Sequence, residues 1–203
     1  IVVVTSVFWI LSKVGVDIFV IVSLFLFTLF EYTPVAIVRA IKMTKKIFIT
    51  GSTGFVGTNF LNFFKKDYSF TLYTKNENKV ITNEDVVLHF AGKAHDLKKV
   101  FNVKEYYEVN TDLTKTIFSN FLKSKAKVFI FLSSVKAVKD NDIENLTEEI
   151  IPNPNTHYGK SKLLAEQYIL SEDYREKRVY ILRPCMIHGP NNKGNLNVLY
   201  NYI

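Results

Sequence analysis

From residue 46 onward, short apolar runs alternate with longer segments whose apolar positions recur every three or four residues. KIFIT at 46–50, FTLYT at 70–74, VVLHF at 86–90, KVFIFL at 127–132 and VYILR at 179–183 are five or six residues long and predict strands. Between them, residues 54–65 predict a helix with Phe60, Leu61 and Phe64 on one face. Residues 105–124 predict a long helix, and 158–171 a helix striped by Leu163, Leu164, Tyr168 and Ile169. Continuous apolar runs, unlike strict alternation, belong to strands covered on both faces. The order therefore predicts an α/β fold, a doubly wound parallel sheet. There is no internal repeat.

Residues 1–42 follow another pattern. The stretch 14–30 carries a single charge, Asp17, and 1–12 carries none. Seventeen residues, predominantly apolar, stand at the lower limit for a membrane-spanning helix. Arg39, Lys42, Lys45 and Lys46 follow, and basic residues on that flank predict that everything downstream lies on the cytoplasmic side of the membrane. Two other readings stay open. The segment could be a buried core helix. It could also be the end of an upstream membrane protein read through in frame, because Met43 opens a self-contained MTKKIFITG start and residue 1 is not Met; the remainder is then simply cytoplasmic. The expected division is 1–42, a hydrophobic segment offering membrane association, and 43–203, a ligand-binding domain.

Composition narrows the function classes. With 48% hydrophobic and 22% charged residues, the 203-residue chain is built for a packed core, not for disorder. The net charge is +7, but the lysines are scattered, so they read as a solvated surface and nucleic acid is not an expected partner. The single cysteine, Cys185, excludes a disulfide framework and a cysteine-rich zinc site, and is expected to be a buried small apolar residue. His89, His95, His157 and His188 lack metal-ligand spacing and read as packing or loop residues; no metal is expected.

Two motifs carry chemistry. Gly51-Ser52-Thr53-Gly54-Phe55-Val56-Gly57 lies between the first predicted strand and the first predicted helix. Glycines there let a backbone approach a pyrophosphate, and the helix N-terminus adds amide donors and a positive dipole end. The second is Tyr158-Gly-Lys-Ser-Lys162. With 11 Tyr in the chain, about one Tyr-x-x-x-Lys arises by chance, so its position is what counts. Tyr158 opens a predicted helix, which puts Lys162 one turn on along the same face. Ser133 and Ser134 end the strand before it, at the sheet edge where ligands bind. A cation beside Tyr158 is expected to lower its pKa from ~10 and make it a usable base. The second strand ends in Tyr73-Thr74-Lys75-Asn76, with no acid to hold an adenine ribose. Lys75 there could favour a 2′-phosphate.

These pieces, with HFAGKAH, Asn110 in EVNTDLT, FIFLSS and LRPCMIHGP, occur in the order found in extended short-chain dehydrogenase/reductases. From Met43 on, the chain resembles the NAD-dependent epimerase/dehydratase family, and its AGKAHD, SSVKAV and GPNNKGN segments look most like the branch acting in bacterial surface-polysaccharide synthesis. The resemblance implies a Rossmann-type fold and NAD or NADP as cofactor. It implies sugar 4-epimerase or 4-reductase activity on a UDP- or undecaprenyl-diphosphate-linked N-acetylhexosamine, with a dehydratase or a catalytically silent cofactor-binding module as alternatives. It gives Tyr158, Lys162 and Ser134 the catalytic roles. Gly51, Ser52, Gly54, Phe55, Val56, Gly57, Ala91, Gly92 and Lys93 are implied to lie along the cofactor, together with Lys75, Tyr158, Lys162, Pro184 and Ile187. Asn110 is implied to brace the central strands. A homodimer is a further expectation. Relatives continue past the point where this chain stops, so the resemblance implies that much of the sugar pocket lies beyond it. The second strand's missing acid and the short link after it depart from the family pattern.

Overall fold

The computed structural model describes residues 46–75, 80–94, 102–140, 150–174, 176–185, 187 and 189. The expectations for 1–42, for His95 and His188 and for Asn76 fall outside these residues. Among the described residues, no helix is long and apolar enough to cross a membrane.

The elements are β1 (Lys46–Thr50), α1 (Phe55–Phe64), β2 (Ser69–Leu72), β3 (Val86–His89), α2 (Val103–Tyr107), a π-helical turn (Glu108–Asp112), α3 (Leu113–Lys123), β4 (Val128–Leu132), a 3-10 turn (Val135–Ala137), α4 (His157–Ser171) and β5 (Arg178–Leu182). All strand pairs are parallel, in the order β2-β1-β3-β4-β5. The predicted elements are present, with ends shifted by a few residues. The second strand stops at Leu72 and leaves Tyr73 and Thr74 in the following loop.

The sheet is covered on both faces because alternate residues of each strand feed different cores. Phe48, Val87, Phe129 and Phe131 point one way and pack with Ile117, Phe118 and Phe121 of α3 and Ala165 and Ile169 of α4. Ile47, Ile49, Val86, Leu88, Ile130, Tyr180 and Leu182 point the other way and pack with Phe60 and Phe64 of α1. That arrangement is the doubly wound, Rossmann-like architecture expected. The chain leaves β1 outward to β2 and returns to β3 on β1's other side. The topological switch point, where such sheets open a ligand crevice, therefore lies beyond Thr50 and His89.

Two expectations need correction. The long helix over 105–124 is interrupted by the π turn around Asn110, which sequence periodicity does not register. The stripe on α4 is also different. Leu164 is 44% exposed, whereas the buried face is Gly159, Ser161, Lys162, Ala165, Glu166 and Ile169. This face is polar because it abuts the ends of the strands, where hydrogen-bonding groups replace apolar partners.

Candidate active site

The carboxyl ends of β1 and β3 are held in mutual contact. Gly51 has φ +69, and a Cβ there would lie within 3 Å of Ala91 N and Phe90 C. Gly54 caps α1 with its own N–H bonded to Gly51 O at 3.0 Å, and no side chain caps the first turn. The leading amides of a helix have no partners within it. A glycine-lined turn feeding an uncapped ten-residue helix fits a diphosphate, with Ser52, Phe55 and Val56 flanking it. Gly57 serves a different end, since a Cβ on it would meet Gly51 and Ser52 backbone atoms inside 3 Å.

A chain of hydrogen bonds fixes the loop after β3. Thr114 Oγ1 donates to Asn110 O at 2.7 Å, so it must accept from His89 Nε2, 2.8 Å away. His89 Nδ1 then accepts from Thr50 Oγ1 at 2.7 Å, and Thr50 Oγ1 accepts the Ala91 N–H at 3.1 Å. Asn110 completes the loop. Its Oδ1 accepts Lys93 N–H at 2.8 Å, and its Nδ2 donates to Lys93 O and to Ser161 Oγ. Ser161 Oγ in turn donates to Tyr158 O at 2.8 Å. Asn110 therefore braces the Ala91-Gly92-Lys93 loop against α4, not the central strands as expected. His89 is a buried hydrogen-bonding centre, beyond the packing role assigned to it.

Burial holds His89 down to about 3, with the Lys162 charge adding to it. The folded chain thus keeps a neutral imidazole, whereas the unfolded chain takes up a proton near 6.5. This residue's stabilisation is complete above that value and is lost as pH falls toward 3. Urea unfolding is expected to show about 2 kcal/mol lost between pH 7 and pH 5 from His89 alone. A His89→Gln variant should show a correspondingly flatter profile, and an unchanged profile would contradict the assignment.

Tyr158 and Lys162 stand one turn apart on α4, and Ser134 lies just past the end of β4 beside the start of that helix. Thr156 caps α4 through Gly159 N at 3.0 Å, and Asp140 accepts from the Asn155 and Thr156 amides. These bonds anchor the turn that presents Tyr158. Ser134 Oγ accepts Lys136 N–H at 3.2 Å, and its hydroxyl lies near the Tyr158 phenol. Burial nevertheless pushes the Tyr158 phenol above its ordinary value, the Ser134 hydroxyl opposing and Tyr106 adding to the rise. The expectation of a lowered phenol is thus not met in the chain alone. Lys162 is buried, donates to Leu132 O at 2.8 Å and lies 4.7 Å from the Phe131 ring centroid. Burial draws it down to about 8, with Glu166 opposing. Its Nζ is 3.0 Å from where a Cβ on Gly92 would stand, so the lysine and the β3 loop are in contact.

The remaining expected residues are dispersed around this centre. Lys93 pairs with Glu105 and lies 5.7 Å from the Tyr106 ring centroid; that ring's centroid is 6.4 Å from the Tyr158 ring's. Lys75 is exposed beyond β2. Pro184 accepts Val135 N–H at 3.2 Å, and Ile187 is half-buried. Cys185, expected buried, is exposed. His157 meets the Tyr107 hydroxyl at 3.1 Å. Among the described residues, no cluster of His, Cys, Asp or Glu could hold a metal. The acid Glu84, near the short link after β2, is engaged by Thr71 Oγ1 and Thr82 N, so it is not free to take a ribose. Thr50, His89, Thr114, Ser133, Glu166 and Arg183 went unassigned to the site by sequence reasoning. Only Glu166 had a usable signal, its four-residue spacing from Lys162.

A sequence model described as the NAD dependent epimerase/dehydratase family matches residues 47–203. The chain is 33% identical to UDP-glucose 4-epimerase of Vibrio cholerae, over 76% of this chain and 55% of that protein. It is 29% identical to N-acetyl-alpha-D-glucosaminyl-diphospho-ditrans,octacis-undecaprenol 4-epimerase of Escherichia coli O157:H7, over 76% of this chain and 52% of that one. Its fold resembles UDP-glucuronic acid 4-epimerase from Bacillus cereus in complex with NAD, with TM-score 0.59 and 19% identity, covering 72% of this chain and 58% of that one. The chain thus spans about half the length of the curated relatives it matches.

Proposed function

The chain belongs to the NAD dependent epimerase/dehydratase family, and from that premise we propose that it is the cofactor-binding and proton-transferring half of a sugar 4-epimerase. The substrate class is a hexose or N-acetylhexosamine carried on a diphosphate, either UDP or undecaprenyl diphosphate. Both carriers occur among the relatives. The observation that carries the reading is Tyr158 at the start of α4, with the Ser134 hydroxyl near its phenol and Lys162 buried one turn along the same helix.

The residues divide the work. The Gly51–Gly57 turn and the α1 N-terminus bind the cofactor diphosphate. NAD held there would supply hydride transfer at the sugar carbon. Tyr158 takes the proton of the 4-hydroxyl and gives one back. Ser134 donates to the same oxygen, and so holds the reacting C–O bond in line with the phenol. The buried phenol is a weak base by itself, so cationic charge must oppose its burial. Lys162, one turn along α4, would supply one such charge, and a cationic cofactor ring would add to it. The basic flank after the stretch 14–30, Arg39, Lys42, Lys45 and Lys46, supports placing this domain on the cytoplasmic side, near a membrane where lipid-linked sugars are found.

One observation favours a second reading, a 4-reductase using NADPH: Lys75 is exposed beyond β2, and the described residues there, Tyr73 to Lys75, include no acid. Calorimetric titration with NAD⁺, NADH, NADP⁺ and NADPH tests both. Binding of the NAD pair is expected. Tighter NADPH binding, lost in Lys75→Ala, would favour the reductase. A folded protein that binds none of the four would overturn both readings.

A further inference from the structure

The mechanism above leaves a buried ionic group without a task. Glu166 lies one turn past Lys162 on α4 and is 1% exposed. Arg183 grips its carboxylate in a fork, with Nε 3.0 and 3.1 Å from the two oxygens and Nη2 donating as well. The Ser133 hydroxyl donates to the same carboxylate. Ser133 N–H donates to Leu182 O at 2.7 Å. One carboxylate therefore joins α4 to the end of β4 and to the residue just past β5. Tyr158 and Lys162 stand on the first, Ser134 next to the second, and Pro184 beside the third.

Arg183 holds this anion directly, and Lys162, buried one turn away on α4, lies within its field. A buried ammonium without a counter-charge sheds its proton. The other titratable groups around Lys162 do not supply that charge. His89 from β3 is neutral, the Tyr158 phenol is protonated, and Lys93 and Glu105 pair with each other. The geometry points to Glu166 as the positioning residue of this site: it clamps the ends of β4 and β5 onto α4 and supplies the negative charge that keeps Lys162 an ammonium behind Tyr158. This rests on the reading that Tyr158 and Lys162 carry the proton transfer. A purely structural ion pair behaves differently, because a buried pair can be replaced by neutral side chains of similar volume with little effect on its surroundings.

Glu166→Gln and the double variant Glu166→Gln/Arg183→Met test it. The single variant strands Arg183 as well as Lys162 and is the one at risk of misfolding, whereas the double variant leaves Lys162 alone without the carboxylate. Lys162 is followed by NMR of its Cε through a pH titration, assigned with Lys162→Arg. The wild type should titrate near 8. In the folded double variant Lys162 should hold its proton about tenfold less tightly, a midpoint about one pH unit lower. On the sugar nucleotide turned over by the wild type, the alkaline limb of kcat should move down equally with KM unchanged. A Lys162 midpoint equal to wild type in the folded double variant overturns the inference. If the midpoint moves but the wild type turns over neither UDP-glucose nor UDP-N-acetylglucosamine, the electrostatic role stands and the functional reading fails.

Discussion

Tyr158→Phe is expected to abolish turnover, by about a thousandfold or more, while NAD⁺ binds as in the wild type. General acid–base catalysis by one positioned side chain contributes about 10²–10⁴ in rate. Here the same oxygen must both take and return the proton, so nothing else near the pair replaces it. Ser134 is closest, but a serine hydroxyl is a far weaker acid than the phenol, and it already accepts Lys136 N–H. The substitution removes one oxygen and leaves the ring, which packs 6.4 Å from Tyr106. Fold and cofactor contacts should therefore survive. The measurement pairs NAD⁺ calorimetry with interconversion of the 4-epimers of UDP-glucose or UDP-N-acetylglucosamine. A variant that retained full turnover would remove Tyr158 from the chemistry. A variant that lost NAD⁺ affinity as well would mean that the hydroxyl helps to build the site.

The sequence announced these residues unevenly, and the reasons are physical. Strand runs such as KIFIT and VVLHF were legible because both faces of β1 and β3 are buried, which demands continuous apolar residues. Gly51 and Gly57 were legible because backbone contact leaves no room for side chains there. The rest of the polar face of α4 was not. Ser161 and Glu166 resemble solvent-facing residues by periodicity, unlike Lys162, which its spacing from Tyr158 marks, and only the ends of β4 and β5 show that they are interior. The Thr50–His89–Thr114 relay was equally hidden. Its members are 25 to 39 residues apart in pairs, and nothing local marks them. The raised phenol of Tyr158 likewise comes from burial, which the motif does not encode.

Gly57→Ala and Gly54→Ala are expected to separate folding from binding within one turn. At Gly57 an added Cβ meets Gly51 and Ser52 backbone atoms inside 3 Å, and backbone cannot rotate away as a side chain can. Helix α1 would have to move off the turn and disturb Phe60 and Phe64 beneath it. Overpacking of this kind costs about 3 kcal/mol. In a domain of this size that lowers the unfolding midpoint by about 6 to 12 °C. Gly54 is different: φ is −75, open to any residue, and the only close atom is Gly51 O at 3.2 Å. The protein itself should tolerate alanine there, with stability within about 0.5 kcal/mol of wild type. The added methyl would stand where a diphosphate must approach the α1 amides. NAD⁺ affinity should fall tenfold or more, about 1.4 kcal/mol. Thermal unfolding and NAD⁺ calorimetry on both variants decide the matter. If Gly54→Ala binds NAD⁺ like the wild type, the diphosphate does not lie over this turn. If Gly57→Ala melts with the wild type, the contact between helix and turn is looser than these distances require. The opposed outcomes, one variant weak in fold and the other weak in binding, are what a helix N-terminus seated directly on a phosphate-binding turn demands.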